Sequence, residues 1–397
     1  MSRILALAAA VLMPIALLCV GLYVGAHPSG LPSGVQDVLG VDQHQEVVNE
    51  AAQTIRDTYY RKLTDEELSD ASIAGMVKSL DDRFSNYFTP AEYKKFMQAT
   101  NSEFSGVGMQ VTVTPKGLKV ASTYPDSPAR EAGLQTGDVI TAVNGQSIAG
   151  KDENASTAKI KGEPGTPVTL TWETPKGKKV TKELERKKVS VPVVSTKMAT
   201  CEDEKVGVVR LSTFSNGAHA ELTKGVEKVQ KQGAKALVLD LRANGGGLVT
   251  EAQQVASAFL KEGKIVTTKG RHVPARTLSA TGKPVAPKEP LVVLVDGGTA
   301  SASEIVAGAL QDHERAKVVG TDTFGKGVFQ EIIGLSNGGA LDITAGQYFL
   351  PSGRNIGGVG VRRGKGLKPD VATPKDDTLA KAKAGERIAV CAAAKMV

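Results

Sequence analysis

The sequence predicts a multidomain protein with an α/β layered core, an inserted β-rich domain and a helical N-terminal region. A chain of 397 residues with 41% apolar content is long enough for two or three domains that each bury a core. Between residues 206 and 310, short runs of β-branched residues alternate with stretches of helical spacing, which is typical of a layered α/β core. Between about residues 104 and 172, glycine-bearing turns separate short strands instead, which indicates a different domain.

The first 26 residues are typical of an export signal. A single charged side chain, Arg3, precedes an apolar run from Ile4 to Val24, and Val24-Gly-Ala26 offers small residues for cleavage. The run is also long enough to cross a bilayer, so a retained membrane anchor stays open as an alternative. In both cases we expect the protein to be exported to the periplasm or cell envelope, either free or anchored to the inner membrane.

Residues 27–100 are predicted to form a linker followed by helices. The stretch up to residue 40 is rich in Gly, Pro and Ser. Thr64 and Thr89 each precede a glutamate by three residues, which predicts two capped helix starts. Stripes of apolar residues at helical spacing favour packing or subunit contacts over a ligand site. The stripes contain Val47, Val48, Ala51, Ile55 and Tyr59, then Ile73, Met76, Val77 and Leu80.

The stretch from Asp296 to Gln330 contains the candidate chemistry. It follows a predicted buried strand, Leu291–Val295, and joins a small-residue turn to a helix that includes Glu304–Leu310. Such a turn leaves backbone N–H groups unpaired at the helix start, where the helix dipole also points. A serine on the turn, Ser301, would therefore have donors close by for an oxyanion.

Lys326 is a candidate base for that serine. It lies on a glycine-flanked turn, Phe324-Gly-Lys-Gly327, and Phe324, Val328 and Phe329 would surround it with apolar surface. A serine hydroxyl is a poor nucleophile until a base accepts its proton, and a lysine can be that base only when burial lowers its pKa. From composition alone, an ordinary turn followed by a solvated lysine is an equally simple interpretation.

Three sequence blocks resemble the signature of the carboxyl-terminal processing, or tail-specific, peptidases. The blocks are Thr299–Ile305, Thr323–Gly327 with Gln330, and Asp240–Gly247. The resemblance implies that Ser301 is the nucleophile, that Lys326 is its base, and that Gln330 positions the lysine. Thr299 replaces the serine that most often opens the first block.

The same resemblance implies a fold and the rest of the site. The core, residues 189–374, would have a crotonase/Clp-protease-like fold, and the reaction would pass through an acyl-enzyme. The oxyanion hole would use the N–H of Ala302 and one N–H from the Gly245–Gly247 loop, with Gly246 and Gly247 as the candidates. No cofactor is implied, and no metal-ligand spacing occurs in the sequence.

Residues 101–188 resemble a PDZ domain. The resemblance depends on Ser127–Leu134 and Gly137–Gly145, which contain the S-P-A, A-G-L, G-D-x-I and V-N-G motifs. It implies that the loop 105–109 binds a terminal carboxylate through successive backbone N–H groups. The candidate donors are Val107, Gly108 and Met109, and the strand that begins at Met109 would take up a peptide by β-augmentation.

These features predict an exported serine endopeptidase that binds the C-terminal segments of envelope proteins and cuts upstream with a Ser-Lys dyad. The N-terminal helices would contribute to a homo-oligomer, as in the family. The alternative is a catalytically inactive PDZ-containing adaptor of the envelope. Retention of the serine, the lysine and the glutamine argues against the adaptor.

Other functions are excluded by composition or context. The net charge of +7 is spread among acidic residues, and a single Trp gives no basic–aromatic interleaving, which argues against nucleic-acid binding. Ser336 fits a G-x-S-x-G motif, but Asn337-Gly338 predicts a hairpin turn there. Gly320–Lys326 resembles a phosphate-binding loop but is followed by Gly327 where Ser or Thr is required.

Two further questions stay open at the level of sequence. Cys201 and Cys391 form either a disulfide or two buried thiols. Asp312 either belongs to a catalytic relay, as proposed for some relatives, or pairs with Arg315 or solvent at the end of its helix. The tail, residues 375–397, is rich in alanine and lysine and is predicted to be helical.

Overall fold

The computed structural model describes Gly21 and residues 43–358, 365–375 and 378–397. The predicted export signal, with that one exception, and the predicted linker at 27–40 lie outside the described residues. Within the described part of the chain, no helix has the length and apolar character needed to cross a membrane. The chain divides into two compact units, residues 1–76 and 77–397.

The first unit contains the first predicted N-terminal helix and most of the second. Helix α1 spans Gln43–Thr58, and helix α2 spans Asp65–Lys78. Thr64 and Glu67 form the predicted capping box, since Glu67 N–H donates to Thr64 Oγ1 at 3.1 Å and Thr64 N–H donates to Glu67 Oε2 at 2.8 Å. The apolar stripe of α1 is exposed at Val47, Val48, Ile55 and Tyr59. Its use in subunit contacts stays a prediction.

A short segment joins the helices to the β-rich domain. It consists of strand β1 (Asn86–Phe88), helix α3 (Pro90–Thr100) and strand β2 (Glu103–Gly106). The predicted capping box of α3 is present, because Thr89 and Glu92 exchange side-chain and backbone hydrogen bonds. Helix α3 therefore begins where the sequence predicts.

The β-rich domain is built around an antiparallel sheet with its own core. Its elements are β3 (Met109–Thr114), β4 (Gly117–Thr123), α4 (Pro128–Glu131), β5 (Val139–Val143), β6 (Gln146–Ser147), α5 (Glu153–Ile160), β7 (Pro167–Glu173) and β8 (Lys179–Glu185). The sheet order is β3-β4-β5-β7-β8, with β6 paired to β5. Leu118, Ile140 and Leu170 are among its fully buried residues. Strand β3 lies at the edge of this sheet and so can accept a further strand.

A two-stranded ribbon closes this domain. Strand β9 (Lys187–Ser190) pairs antiparallel with β2, with Glu103 opposite Ser190. Pro192 lies beyond the end of β9, so its missing N–H does not interrupt the pairing.

The core alternates strands and helices, as predicted. In chain order its elements are β10 (Val194–Cys201), β11 (Glu204–Leu211), α6 (Ala218–Lys231), β12 (Ala236–Asp240), α7 (Val249–Ser257), β13 (Lys264–Gly270), β14 (Arg276–Ser279), β15 (Leu291–Val295), α8 (Ala302–Asp312), β16 (Lys317–Gly320), β17 (Val328–Gly334), β18 (Ala340–Phe349), β19 (Val371–Ala372) and α9 (Leu379–Ala394).

The main sheet has a helical layer on each face. Its order is β10-β11-β12-β15-β16-β19, and all its pairs are parallel except β10 with β11. Leu222, Val255 and Ile305 belong to the large cluster that α6, α7 and α8 form on one face. Ala389 and Ala393 of α9 pack with strand residues of the other face. The predicted layered core is therefore present.

Cys201 and Cys391 form a disulfide, with their Cα atoms 5.3 Å apart. Cys201 is the last residue of β10 and pairs with Glu204 of β11. Strand β10 is the first strand of the core, so Cys201 lies at the end of that strand. The bond ties α9, the predicted helical tail, to the edge of the main sheet.

A second sheet, formed by β1, β13, β14, β17 and β18, contains Gln330 and follows the turn of Lys326. Strand β18 pairs with β1, with β13 and with β17, and β13 also pairs with β14. The hairpin between β17 and β18 turns at Leu335–Gly339, with Gly338 at φ 83°. Ser336 lies in this turn, as predicted from Asn337-Gly338, and not on a strand-to-helix elbow.

Candidate active site

Ser301 lies on the strand-to-helix turn between β15 and α8. Its backbone has φ 56° and ψ −117°, which a residue with a side chain rarely adopts. The preceding Ala300 donates its N–H to the carbonyl of Asn244 at 3.0 Å, and Ser303 Oγ donates to the same carbonyl at 2.9 Å. These contacts hold the turn against the 240–247 loop. Strain of this kind at a nucleophile position is typical of a functional turn.

Lys326 lies across the cleft on the turn before β17. Its Nζ donates to Gln330 Oε1 at 2.7 Å and lies 5.0 Å from the centre of the Phe84 ring. Burial lowers the pKa of Lys326 below its usual value, while the negative charges of Asp342, Asp82 and Glu304 partly oppose this shift. A lysine whose ammonium form is disfavoured in this way is suited to accept a proton.

The carboxylate of Glu304 connects the two turns. It accepts the backbone N–H groups of Ser301 at 2.8 Å, Gly325 at 2.7 Å and Lys326 at 3.0 Å, and it accepts the hydroxyl of Thr323. Glu304 is fully buried. Burial raises its pKa, and the four hydrogen bonds act in the opposite direction. No sequence pattern indicated this role, because Glu304 fits equally well as an ordinary first-turn helix residue.

One cleft of about 410 Å³ brings the predicted residues together. Ser301, Lys326 and Gln330 all line it, as does Gly247 of the glycine loop. The rest of its lining is mostly apolar and includes Phe96, Phe214, Leu248, Val249, Phe329 and Ile332. An apolar cleft beside a serine and a half-buried lysine can hold a polypeptide segment for acyl transfer.

The two candidate glycines of the oxyanion hole differ in what their N–H groups do. Gly246 donates its N–H to Asn244 Oδ1 at 2.9 Å, so this N–H already has a partner. Gly247 lines the cleft, and its φ of 142° and close approach to the Phe214 carbonyl require glycine. Gly247 is therefore the better candidate of the two glycines. Its N–H and the N–H of Ala302, at the start of α8, are the candidate donors to the oxyanion.

Three residues around Lys326 were not predicted. Asp82 and Phe84 come from the segment before β1, and Asp342 comes from β18. Pairing of β1 with β18, with Asn86 opposite Asp342, brings that segment to the site. The expected apolar neighbour Phe324 instead has its ring 5.9 Å from the Arg83 guanidinium. No local sequence pattern connects residues that the whole β-rich domain separates.

The loop 105–109 of the β-rich domain borders a small apolar pocket. The pocket has a volume of about 40 Å³ and is lined by Phe104, Gly106, Val107, Gly108, Met109, Val111, Thr157, Ile160 and Lys161. It lies between the loop, the edge strand β3 and helix α5. Gly108 has φ 81°, and a side chain there would meet Ser127 at 2.3 Å. The three predicted donors therefore lie together at the end of an open strand edge.

Asp312 lies away from the dyad. Arg354 Nη2 donates to its Oδ1 at 2.8 Å, and the N–H of Ser352 donates to its Oδ2 at 2.9 Å. Arg315 instead donates to the carbonyls of Phe259, Ala286 and Glu289. The predicted ion pair between Asp312 and Arg315 is therefore wrong, because Asp312 pairs with Arg354 instead. Asp312 holds the turn after β18.

Comparison with known proteins agrees with this arrangement. Residues 205–373 match the model of peptidase family S41, and residues 119–174 match a PDZ domain model. Residues 30–91 match the model of the activating protease CtpB N-terminal domain. The core therefore resembles peptidase family S41.

Relatives share most of this chain. A probable CtpA-like serine protease of Staphylococcus aureus is 39% identical over 325 residues, which is 81% of this chain and 63% of the relative. One from Staphylococcus saprophyticus is 37% identical over 336 residues, 84% of this chain and 66% of the relative. The chain therefore spans slightly less than two thirds of the length of these relatives.

Solved structures have the same architecture as this chain. A photosystem II D1 C-terminal processing protease superposes with a TM-score of 0.52 at 29% identity, covering 88% of this chain and 98% of the other. A putative S41 protease from Bacteroides fragilis superposes with a TM-score of 0.50 at 18% identity, covering 87% and 96%. The predicted family and the multidomain α/β fold with a PDZ domain are confirmed, and the crotonase/Clp likeness stays a prediction.

Proposed function

We propose that this S41 chain is an exported serine endopeptidase with a Ser301–Lys326 dyad. The observation that carries the proposal is the environment of Lys326. Its Nζ is held by Gln330, its pKa is lowered by burial, and it lines the same cleft as Ser301. The S41 family match and the serine protease relatives support the same activity.

The chemistry follows from these positions. Neutral Lys326 accepts the Oγ proton while Ser301 Oγ attacks the scissile carbonyl carbon. The oxyanion accepts hydrogen bonds from the N–H groups of Ala302 and Gly247. The protonated lysine then gives its proton to the leaving amine, and an acyl-enzyme remains. Water, deprotonated by the same lysine, attacks the ester carbonyl. The C–O bond to Ser301 then breaks, the lysine returns its proton to Ser301 Oγ, and the acid is released.

The PDZ domain would select the substrate. The loop 105–109 and the free edge of β3 suit an extended peptide that ends in a carboxylate. The small apolar pocket beside them would take a terminal apolar side chain. A likeness to a C-terminal processing protease supports protein C-termini as the substrate class. We propose that these substrates are proteins of the cell envelope. The proposal includes two further expectations, namely a membrane anchor at the N-terminus and a homo-oligomer formed through the N-terminal helices.

One experiment tests the proposal as a whole. The C-termini of all envelope proteins are compared by mass spectrometry between cells with the wild-type protein and cells with Ser301→Ala. New or lengthened C-termini that accumulate only with Ser301→Ala are the expected result. Identical C-termini in the two strains, with the variant still bound to envelope proteins, would favour an inactive PDZ adaptor and contradict the peptidase.

A further inference from the structure

The turn that carries Lys326 has backbone groups on two sides. On one side, the N–H groups of Gly325 and Lys326 donate to the carboxylate of Glu304. On the other side are the carbonyls of Lys326 and Gly327. Gly327 is buried, and a buried carbonyl needs a hydrogen-bond donor from the protein. The residues that donate to these carbonyls therefore fix the second side of the turn.

Asn355 donates to the carbonyl of Gly327. Its Nδ2 contacts this carbonyl at 2.8 Å and the carbonyl of Tyr348 at 2.7 Å, and its Oδ1 accepts the N–H of Gly357 at 2.8 Å. Carbonyls can only accept and an N–H can only donate, so these partners fix the orientation of the amide. Both ends of the Asn355 side chain are thus used within the fold.

Tyr348, near the end of β18, contacts the same turn. Its N–H donates to the carbonyl of Gly327 at 3.1 Å, and its hydroxyl donates to the carbonyl of Lys326. Tyr348 is fully buried. Because Asn355 also binds the carbonyl of Tyr348, it joins this strand end to the turn. The carbonyls of Lys326 and Gly327 therefore both have donors.

The backbone around Asn355 lies directly against the turn. A Cβ atom on Gly327 would lie 2.2 Å from Asn355 Oδ1 and 2.5 Å from the nitrogen of Gly357. A Cβ atom on Gly357 would lie 2.4 Å from the nitrogen of Gly327. No side chain fits at such distances, so this close approach requires glycine at both positions. The glycine after Lys326 thus allows the contact with Asn355.

The loop 350–357, which carries Asn355, is fixed to α8. Arg354 Nη2 donates to Asp312 Oδ1, near the end of that helix, at 2.8 Å. Ile356 is buried in the same core cluster as the apolar residues of α8. Ser301 is the N-cap residue of α8. The loop therefore connects the helix that begins at the nucleophile with the turn that carries the base.

We infer that Asn355 is a positioning residue for the general base, which holds the carbonyl side of the Lys326 turn as Glu304 holds its N–H side. The inference rests on the proposed function, since it gives Lys326 the role of base. Asn355 does not line the described cleft, so it acts through the turn and not on the substrate. We expect its loss to affect the chemical step more than substrate binding.

Two variants remove the contact in different ways. Asn355→Ala deletes the amide, whereas Asn355→Asp keeps the shape and directs carboxylate oxygens at two carbonyls. With casein, an unstructured protein, as substrate, both should lower kcat about tenfold to a hundredfold, because a misplacement of about 1 Å can cost about 10²-fold. KM should change less than about twofold, since the residues that line the cleft are unchanged.

Asn337→Ala is the matched control. Asn337 Oδ1 also accepts the N–H of the residue two positions on, Gly339, at 2.9 Å. Asn337, however, lies in the turn between β17 and β18, and its Nδ2 donates to the Tyr87 hydroxyl. Asn337→Ala thus removes a similar local contact away from the Lys326 turn. We expect wild-type kcat and KM in this variant.

The pH profile adds a readout that a folding defect alone would not move. Burial lowers the pKa of Lys326, and a loosened turn would let its ammonium group reach water. The acid limb of kcat/KM should therefore move to higher pH in Asn355→Ala. The charged groups that face Lys326, namely Asp82, Asp342 and Glu304, stay in place in this variant. A smaller amount of folded enzyme would lower kcat/KM equally at every pH.

Several outcomes would overturn the inference. Wild-type kcat in either Asn355 variant, or an unmoved acid limb in Asn355→Ala, would do so. A loss of kcat that only matches the unfolded fraction, or that Asn337→Ala shares, would indicate a folding defect and would also overturn it. Lys326→Ala separates the two levels. If Lys326→Ala is inactive while the Asn355 variants are unaffected, only the inference fails; if Lys326→Ala still cleaves, the proposed dyad fails too.

Discussion

Ser301 and Lys326 donate their backbone N–H groups to the same oxygen atom, Oε2 of Glu304, at 2.8 and 3.0 Å. The turn that carries Ser301 and the turn that carries Lys326 are therefore both hydrogen-bonded to one buried carboxylate. The distance between the two reacting side chains depends on this carboxylate as well as on the strands that carry them.

Replacement of Glu304 by glutamine should therefore harm both folding and catalysis. The amide keeps the shape but presents NH₂ to N–H groups that need an acceptor, and each buried group left unsatisfied costs about 1–3 kcal/mol. We expect a lower midpoint in urea unfolding and a kcat reduced more than KM is changed. Glu227→Gln, on the exposed side of α6, is the matched control and should behave as wild type. Equal stability of the two variants would contradict the role of Glu304.

The dyad makes a strict prediction about charge. Ser301→Ala, Lys326→Ala and Lys326→Arg should each abolish cleavage of an unstructured protein while the unfolding temperature stays near that of the wild type. Arginine fails because it stays protonated at any working pH. Substantial turnover by Lys326→Arg would remove the lysine from the mechanism. We also expect chelators to have no effect, and activity that zinc restores after chelation would argue for a metallopeptidase.

The partial burial of Lys326 predicts how kcat/KM depends on pH. The base must be neutral, so kcat/KM should fall as the pH falls through the pKa of Lys326, which burial has lowered from the usual lysine value. Asp342 is the strongest of the charges that oppose this shift. Asp342→Asn should therefore move the acid limb to lower pH, measured as kcat/KM against pH. Movement to higher pH would contradict the assignment of that limb to Lys326.

The disulfide should contribute to stability. Cys201 and Cys391 are separated by 190 residues, and a loop of this length corresponds to roughly 4–5 kcal/mol in the chain-entropy model, which strain commonly reduces. Cys201→Ser with Cys391→Ser should unfold at lower urea concentration than the wild type. Counting thiols in the denatured protein after removal of any export signal gives the direct check, and two free thiols there would contradict the bond.

The loop 105–109 of the PDZ domain predicts that peptides bind through a free C-terminal carboxylate. Amidation of a peptide C-terminus removes charge-assisted hydrogen bonds worth about 1.5–3 kcal/mol each, so affinity should fall at least about tenfold. Gly108→Pro should have a similar effect with free C-termini, because proline cannot adopt the φ of 81° found there. Binding measured by fluorescence anisotropy with matched free and amidated peptides tests both changes. Equal affinity for the two peptides would mean that this domain does not read C-termini.

Sequence patterns predicted the elements whose structure follows from residues adjacent in sequence. The run Leu291–Val295 is apolar on both faces because it lies in the middle of a parallel sheet, and the structure has it as predicted. The hairpin turn at Asn337-Gly338 likewise follows from local backbone chemistry. Strand β10 was missed because none of its residues is fully buried and Lys197 and Thr200 are exposed, so it does not form an apolar run.

The candidate site was predictable where the chemistry lies in a compact motif. Ser301, Lys326 and Gln330 lie within one stretch of sequence, and the structure brings them to one cleft. Selection between Gly246 and Gly247 was not possible from sequence, because it depends on where Asn244 directs its side chain. Asp82 and Phe84 were missed for a different reason, since they come close to Lys326 through the pairing of β1 with β18 across the inserted PDZ domain.

That pairing also sets when the enzyme can first act during its synthesis. Residues 82–88 leave the ribosome before the PDZ domain, but their partner strand, Ala340–Phe349, is made only after the PDZ domain and most of the core. If Asp82 and Phe84 complete the surroundings of Lys326, a nascent chain has no finished base until this strand has emerged. A polypeptide still passing through a translocation pore would then be unable to cut itself or its neighbours.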